Sequence, residues 1–155
     1  MKVLFIGGTG IISSACTEAA VAKGIEVFHL NRGITNQDNV PKEVTTIYAD
    51  IRNGNEAEAK LNGHYFDAVV DFIAFEPQHI EQDIRLFRDR TAQYVFISTA
   101  SAYQKPPDKL PITERTPLWN PYWEYSEKKI FCEKMLKEEG EKSGFPYTII
   151  RPSHT

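Results

Sequence analysis

The chain has 155 residues, which is enough for one domain with its own hydrophobic core. Hydrophobic residues make up 41% and charged residues 25%, as in an ordinary globular protein, and the net charge of −3 argues against a nucleic-acid partner. No apolar run approaches the roughly 18 residues of a membrane-spanning helix, and the first residues lack the pattern of a signal peptide, so we expect a cytoplasmic protein without membrane association.

Apolar strands alternate with helical patterns from the first residues onwards. A short apolar run closed by Gly7 and Gly8 predicts the first strand, and Gly24 marks the C-cap of the helix that follows. Pro77 opens a later helix, since proline is tolerated in a first helical turn. In chain order, the predicted elements are strand 2–6, helix 11–23, strand 25–30, strand 44–49, helix 55–61, strand 66–73, helix 77–89, strand 94–98, a proline-rich irregular segment 104–120, helix 122–142 and strand 147–150.

This alternation predicts an α/β fold of the Rossmann type, a doubly wound parallel sheet with helices on both faces. Right-handed crossovers favour the strand order 3-2-1-4-5-6. We expect one dinucleotide-binding domain over residues 1–155, with no internal linker. The cleft of such a sheet needs a roof, and little chain follows the sixth strand, so we expect the chain to be the front part of a longer protein.

The segment from Gly7 to Ser13 leaves a strand and enters a helix, which is the context of a dinucleotide-binding turn. Gly7 permits the tight turn, Gly10 lets backbone N–H groups approach a phosphate, and Ser13 takes the third small position. The helix N-terminus would then present unpaired N–H donors to the pyrophosphate. The cofactor-binding residues predicted here are Gly7, Thr9, Gly10, Ile11 and Ile12. The alternative is a structural turn with incidental glycines.

The end of the second predicted strand bears on the choice of cofactor. A carboxylate there would bind the adenosine ribose, whereas an arginine suits a 2′-phosphate. The sequence has Asn31 and Arg32 at this point, which favours NADP over NAD, unless Arg32 is only a solvated loop charge. Asp50 and Ile51 follow the third strand, where an adenine edge could be read. A helix N-cap is the alternative role for Asp50.

Tyr125 and Lys129 lie four residues apart, on one face of a predicted helix. A free phenol has a pKa near 10, and a neighbouring ammonium is expected to lower it, so the pair could move a proton to or from an alcohol or carbonyl. The spacing by itself is common. Hydroxyls at Ser98, Thr99 and Ser101 end the fifth strand over the same crevice, although such residues often satisfy only loop backbone groups.

Taken together, these pieces resemble the extended short-chain dehydrogenase/reductase family, also called NAD-dependent epimerase/dehydratases. The resemblance spans the whole chain, and the segments that carry it are Gly7-Gly8-Thr9-Gly10, Ser98-Thr99, Pro111-Ile112-Thr113-Glu114, Tyr125 with Lys129, and Arg151-Pro152.

The resemblance implies a role for each matching residue. Thr99, with Ser101 as the fallback, would polarise the substrate oxygen, and Tyr125 would be the acid/base. Lys129 would hold the nicotinamide ribose and tune Tyr125. Residues lining the crevice beside the cofactor would be Phe72, Ile73 and Ala74. Family members often form homodimers through the helices predicted here at 77–89 and 122–142.

The sequence also departs from the family pattern. Ser13 replaces a glycine, and Asn31-Arg32 replace the frequent acid. The Leu-Asn-Arg-Gly run is similar to an atypical branch that includes chloroplast RNA-associated relatives. The substrate-binding lobe of the family would lie largely beyond Thr155, so we expect the 155-residue chain alone to turn over weakly or not at all.

Two functions follow as hypotheses. The first is an NAD(P)-dependent epimerase, dehydratase or reductase that acts on a nucleotide-sugar substrate by hydride transfer. The alternative is a non-catalytic NAD(P) sensor or RNA-associated module of the same fold. No cluster of histidines and cysteines indicates a metal site.

Overall fold

The computed structural model describes residues 1–34 and 40–153. Its six strands are all parallel and form one sheet in the order β3-β2-β1-β4-β5-β6, which confirms the predicted topology. The strands are β1 Lys2–Ile6, β2 Glu26–Asn31, β3 Thr45–Tyr48, β4 Ala68–Asp71, β5 Tyr94–Ile97 and β6 Tyr147–Ile150. The helices are α1 Ile11–Ala22, α2 Gly54–Leu61, α3 Pro77–Phe87 and α4 Glu124–Ser143, with a short 3-10 turn at Ala100–Ala102.

Several element ends differ from the predicted ones by one or two residues, and at two of them a side chain that binds the backbone explains the difference. β4 stops at Asp71, whose Oδ1 accepts hydrogen bonds from the N–H groups of Ile73 and Ala74 and so turns the chain out of the sheet. α4 begins at Glu124 rather than Tyr122, because Asn120 Oδ1 holds the Tyr122 N–H at 3.2 Å outside the helix.

The helices cover both faces of the sheet, as predicted. Alternate residues of β1 point to opposite faces: Val3 and Phe5 pack in the cluster that contains Ala20 of α1, whereas Leu4 and Ile6 pack in the larger cluster. That larger core also receives the buried apolar residues of α2, α3 and α4. The carboxyl ends of the strands consequently meet at one edge, and the site is built there.

One buried ion pair fixes the far end of the sheet. Arg151, which follows β6, donates from Nε and Nη2 to the two carboxylate oxygens of Glu133 at 2.8 and 2.6 Å. Ser98, which follows β5, donates to the same carboxylate at 2.6 Å. Glu133 is fully buried in α4, so this charge-assisted network ties α4 to the ends of β5 and β6.

A second buried polar cluster lies under the end of β4. Asp71 and Asp83 are both 0% exposed, and the Tyr94 hydroxyl donates to Asp83 Oδ2 at 2.6 Å. Burial, followed by the charge of the neighbouring Asp71, raises the Asp83 pKa well above its usual range. Proton uptake by Asp83 is therefore favoured in the folded chain.

Within residues 1–34 and 40–153, no helix combines the length and the apolar character needed to cross a bilayer.

The Asp71–Asp83 pair predicts a pH dependence of stability. Because the folded-state pKa of Asp83 is raised, its contribution is fully present below the unfolded carboxyl pKa of about 4 and is lost as pH rises through the folded-state value. Asp83→Asn keeps a donor toward Asp71 but cannot titrate. Urea unfolding from pH 4.5 upward should therefore show the wild type losing free energy of unfolding relative to Asp83→Asn, by at most about 1.4 kcal/mol per pH unit.

The exposed Asp89→Asn is the matched control, and it should follow the wild-type pH profile. Parallel profiles for wild type and Asp83→Asn would show that Asp83 binds no extra proton on folding.

Candidate functional site

The turn between β1 and α1 lies directly against its neighbours in the sheet. Gly7 has a positive φ of 79°, and a Cβ there would overlap the Ile73 side chain. A Cβ at Gly8 would overlap the His29 ring. The Gly8 N–H donates to Asn31 Oδ1 at 3.1 Å, so β2 also fastens the turn. Close packing therefore requires glycine at these two positions.

The Ser13 side chain makes hydrogen bonds that stabilise this turn. Its Oγ accepts from the Gly10 N–H at 2.8 Å and donates to the Gly7 carbonyl at 2.7 Å. The side chain is 1% exposed. The serine at the third small position thus links the two ends of the turn by hydrogen bonds. The first turn of α1 leaves its N–H groups unpaired, and they face the sheet edge.

A cavity of about 550 Å³, here called the Arg32 cavity, opens on one side of the α1 N-terminus. It is lined by Gly7, Thr9, Gly10, Leu30, Asn31, Arg32, Gly33, Ile34, Ala49, Asp50, Ile51, Arg52, Ile73, Phe75 and His79. Most of the residues predicted to bind the adenosine half of a cofactor therefore meet in one place. Its size lies in the usual range for small-molecule sites.

The polar side chains of the Arg32 cavity differ in how many of their hydrogen-bonding groups already have a partner. Arg32 is exposed and makes no hydrogen bond or ion pair with other residues that the structure describes. Asn31 Oδ1 accepts a hydrogen bond from the Gly8 N–H, and the buried Asn31 Nδ2 has no partner among those residues. Asp50 Oδ1 accepts from the Arg52 N–H at 2.9 Å, and the N-cap of α2 is Asn53, so the alternative N-cap role for Asp50 is wrong.

Two further cationic or titratable side chains in the Arg32 cavity escaped the sequence analysis. Arg52 donates to the Ile73 carbonyl, and its Nη1 is buried without a partner in the described parts of the chain. His79 Nδ1 accepts from the N–H groups of Phe75 and Glu76 at 3.1 and 3.3 Å, which leaves Nε2 as its donor. Burial, followed by the charge of Arg52, lowers the His79 pKa, so the ring is held neutral.

A second cavity of about 480 Å³, here called the Tyr125 cavity, lies on the other side of the α1 N-terminus. It is lined by Ile12, Phe72, Ile97, Ser98, Thr99, Ala100, Ser101, Lys105, Trp123, Tyr125, Lys129, Pro152 and Ser153. The three residues expected to be catalytic, Thr99, Tyr125 and Lys129, all border this one space. Ala74 differs from the expected crevice residues, since it is fully buried and borders neither cavity.

Lys129 is 1% exposed and acts as a tether between strands. Its Nζ donates at 2.7 Å to the Ala74 carbonyl after β4 and at 2.7 Å to the Ile97 carbonyl in β5. The Nζ also lies 4.6 Å from the centre of the Phe96 ring. Burial lowers the pKa of Lys129 to about 8. An ammonium has three donors, and these carbonyls take two of them, which leaves one for a ligand.

Tyr125 departs from the expected electrostatics. Its pKa is raised from the ordinary value by burial, not lowered by Lys129. The reason is geometric, because Lys129 Nζ faces the two carbonyls and lies 5.7 Å from the centre of the Tyr125 ring. Tyr125 instead packs against Trp123, with ring centres 4.9 Å apart and ring planes tilted by 40°. In this state the phenol is protonated at neutral pH.

The residues present fit a dinucleotide. The α1 N-terminus separates the two cavities: Gly10 and Ile73 border the Arg32 cavity, and Ile12 and Phe72 border the Tyr125 cavity. A Cβ on Gly10 would meet only Ser13 Oγ and would otherwise project into open space beside the turn. A two-part anionic ligand could therefore place a half in each cavity and its diphosphate at the helix N-terminus. Within the described residues, no group of three His, Cys, Asp or Glu side chains is placed to hold a metal ion.

Comparison with known proteins agrees with this geometry. The chain is 30% identical over 168 residues to the UDP-glucose 4-epimerase of Lactobacillus helveticus, an alignment that covers 97% of this chain and 51% of the relative. The UDP-glucose 4-epimerase of Azospirillum brasilense is 26% identical over 97% of this chain and 48% of its own. The chain therefore spans about half the length of the curated relatives that it matches.

Solved structures share the fold. The UDP-glucose 4-epimerase of Brucella ovis in complex with NAD superposes with a TM-score of 0.85 at 23% identity, covering 97% of this chain and 51% of that one. The sequence model of the NAD-dependent epimerase/dehydratase family matches residues 3–93 and 84–155, which together span nearly the whole chain. The glycine turn, the sheet order and this match lead to one conclusion: the chain belongs to the NAD-dependent epimerase/dehydratase family.

Proposed function

We propose that this chain is the coenzyme-binding part of an NAD(P)-dependent enzyme that oxidises a hydroxyl-bearing carbon of a nucleotide-activated sugar. The observation that carries the proposal is the meeting of Thr99, Tyr125 and Lys129 at one cavity beside the α1 N-terminus. The curated relatives named above are UDP-glucose 4-epimerases, and a dTDP-glucose 4,6-dehydratase from Bacillus anthracis shares the fold with a TM-score of 0.81 at 20% identity over 97% of this chain and 55% of that one. The proposal therefore covers epimerisation and dehydration alike.

The chain's own residues would hold the coenzyme in two halves. The amide groups of Ile11 and Ile12 in the first turn of α1 would bind the diphosphate, and the Arg32 cavity would take the adenosine, with Asp50 and Ile51 beside the adenine. Phe72 would flank the nicotinamide, and Lys129 would donate its third N–H to the nicotinamide ribose. NADP is favoured over NAD, because Arg32 is uncommitted at the point where a 2′-phosphate would lie.

Bound coenzyme would accept or return the hydride of the sugar carbon. Burial raises the Tyr125 pKa, so the phenol of the ligand-free chain is protonated, and the bound coenzyme and substrate would have to lower this pKa before Tyr125 could act as a base. The phenolate would then take the proton from the sugar hydroxyl as the hydride leaves, and would return it when the carbonyl is reduced. Thr99 would bond the same sugar oxygen. Lys129, with its pKa of about 8, would supply positive charge near the phenol.

We also propose that two copies associate through α3 and α4. These helices pack side by side, and Phe131 on α4 is an aromatic residue left 58% exposed. Sedimentation of the wild type should show a dimer, and Phe131→Lys should shift it toward monomer because a charge would be desolvated there. The exposed Lys137→Ala on the same helix should leave the dimer unchanged. A monomeric wild type at high micromolar concentration would contradict this proposal.

The coenzyme preference generates a binding prediction. Arg32→Ser should weaken NADPH binding by about tenfold or more, since it removes a charge-assisted hydrogen bond, and should leave NADH binding within about twofold. Calorimetric titration with each coenzyme measures both values. Arg115→Ser, in the exposed proline-rich loop, is the control for loss of one positive charge. An equal loss of binding affinity for NADPH and NADH would contradict a role of Arg32 in recognising the 2′-phosphate.

The acid/base role generates a kinetic prediction. Tyr125→Phe should lower kcat with a UDP-hexose by about 10²- to 10⁴-fold and leave the coenzyme affinity near wild type, since only the proton transfer is lost. Turnover is measured on the protein at its natural length. Tyr122→Phe, an exposed tyrosine three residues earlier, is the control. Undiminished turnover in Tyr125→Phe would exclude Tyr125 from the reaction.

A further inference from the structure

A string of side chains runs from the protein interior to Thr99. Thr99 Oγ1 lies 2.9 Å from Ser101 Oγ, which lies 2.8 Å from Ser126 Oγ on α4. Asn120 Nδ2 lies 3.4 Å from Ser126 Oγ at the inner end. We propose that Asn120 sets the direction of every hydrogen bond in this string, so that Thr99 meets its ligand as a hydrogen-bond donor. Asn120, Ser126 and Ser101 are then positioning residues, and their catalytic importance rests on the proposed function of Thr99.

The orientation of the Asn120 amide follows from two other contacts. Its Oδ1 accepts from the Tyr122 N–H at 3.2 Å, and its Nδ2 donates to the Ser101 carbonyl at 2.8 Å. Rotating the amide by 180° would place donor against donor and acceptor against acceptor. Since Asn120 is only 6% exposed, water cannot relieve such a clash. The group that faces Ser126 is therefore the NH₂.

That NH₂ fixes the direction of the inner bond. An amide nitrogen cannot accept, so Ser126 Oγ accepts from Asn120 and needs an acceptor for its own hydrogen. Ser126 is fully buried, and the only acceptor recorded for it among the described residues is Ser101 Oγ. The reverse direction would leave a buried hydroxyl hydrogen without a partner, which costs about 1–3 kcal/mol. Ser126 therefore donates to Ser101, and Ser101 donates to Thr99.

The contacts at the outer end of the string are compatible with this direction. The backbone N–H of Ser101 donates to Thr99 Oγ1 at 3.2 Å, which occupies one lone pair. The Ser101 hydroxyl occupies the other, so the Thr99 oxygen has accepted two bonds. Its own hydrogen is left to point into the Tyr125 cavity. A donor in that position stabilises negative charge on a ligand oxygen, as a deprotonated sugar hydroxyl would carry.

The string itself contains only hydroxyl, amide and peptide groups. None of them titrates in the range where the protein is folded, so the direction is not a pH switch. Two buried charged groups of α4, Lys129 and Glu133, are bonded to backbone carbonyls and to Arg151 and Ser98, not to the string. Among the hydrogen-bonded members of the string, Asn120 is the group whose orientation is fixed by other contacts.

The direct test is a neutron structure of the chain after exchange into D₂O. We expect one deuterium on Ser126 directed at Ser101 Oγ, one on Ser101 directed at Thr99 Oγ1, and one on Thr99 directed into the cavity. A deuterium on Thr99 directed at Ser101 would overturn the inference. The result does not depend on turnover or on coenzyme binding, so it stands apart from the proposed function.

Asn120→Asp tests the consequence with nearly the same shape. A carboxylate can only accept, so it should draw the Ser126 hydrogen inward, reverse the string and turn the Thr99 hydrogen away from the ligand. We expect kcat to fall at least tenfold with KM near wild type. The exposed Asn55→Asp is the charge control and should keep wild-type turnover.

A double-mutant cycle separates positioning from simple loss of structure. In a Thr99→Val background there is no hydroxyl to orient, so Asn120→Asp should cause no further loss of kcat. An equal loss in both backgrounds would overturn the inference and leave the proposed function standing. Failure of the wild type to bind either coenzyme would instead overturn the proposed function, while the neutron result would still decide the direction of the string.

Discussion

The structure depends on the absence of side chains where β1 turns into α1. Gly7 lies against Ile73 and Gly8 against the His29 ring, with no room for a Cβ at either place. The two contacts bring the start of α1 down onto the sheet edge between β2 and β4. The unpaired N–H groups of the helix are thereby aimed at the crevice, and each candidate cavity opens on one side of them. A bulkier turn would lift the helix and separate the two cavities from their shared anion site.

Buried charged groups hold the rest of the site to this frame. Lys129 links the ends of β4 and β5, Arg151 and Glu133 link β6 to α4, and Asp71 shapes the segment after β4. Burying charges costs free energy unless each is fully bonded, and apolar residues of similar size would stabilise the fold at least as well. These charged groups hold the strand ends in defined positions, because their hydrogen bonds have fixed length and direction. The same strand ends that they hold carry the residues proposed to contact coenzyme and substrate.

The electrostatics of Tyr125 and Lys129 show why proximity along a helix does not define a function. Four residues of spacing placed both side chains on one face, as expected. The ammonium nevertheless turned toward two backbone carbonyls, because a buried cation takes the strongest acceptors within reach. The Tyr125 pKa consequently rises through burial. Acid/base chemistry at this tyrosine then requires that ligand binding change its surroundings, and the direction in which Thr99 donates becomes part of that change.

The sequence by itself determined the parallel sheet, its strand order and the place of the anion-binding turn. These follow from local patterns: apolar runs, glycines and alternation of strand with helix, together with the handedness of crossovers. The family resemblance implied that Thr99, Tyr125 and Lys129 would act together, and all three border the Tyr125 cavity. Strand and helix ends were less predictable, since β4 is stopped by the Asp71 side chain and α4 is delayed by Asn120.

Only the tertiary structure decided the contacts between residues that are distant along the chain. Arg52 reaches a carbonyl 21 residues away, Lys129 reaches one 55 residues away, and Asn120 orients a hydroxyl string that joins β5 to α4. A polar side chain bonds to whichever partner the packed backbone places within about 3 Å, and no local pattern encodes that partner. For the same reason the pKa shifts and hydrogen-bond directions at this site emerge only when the sheet, α3 and α4 are assembled.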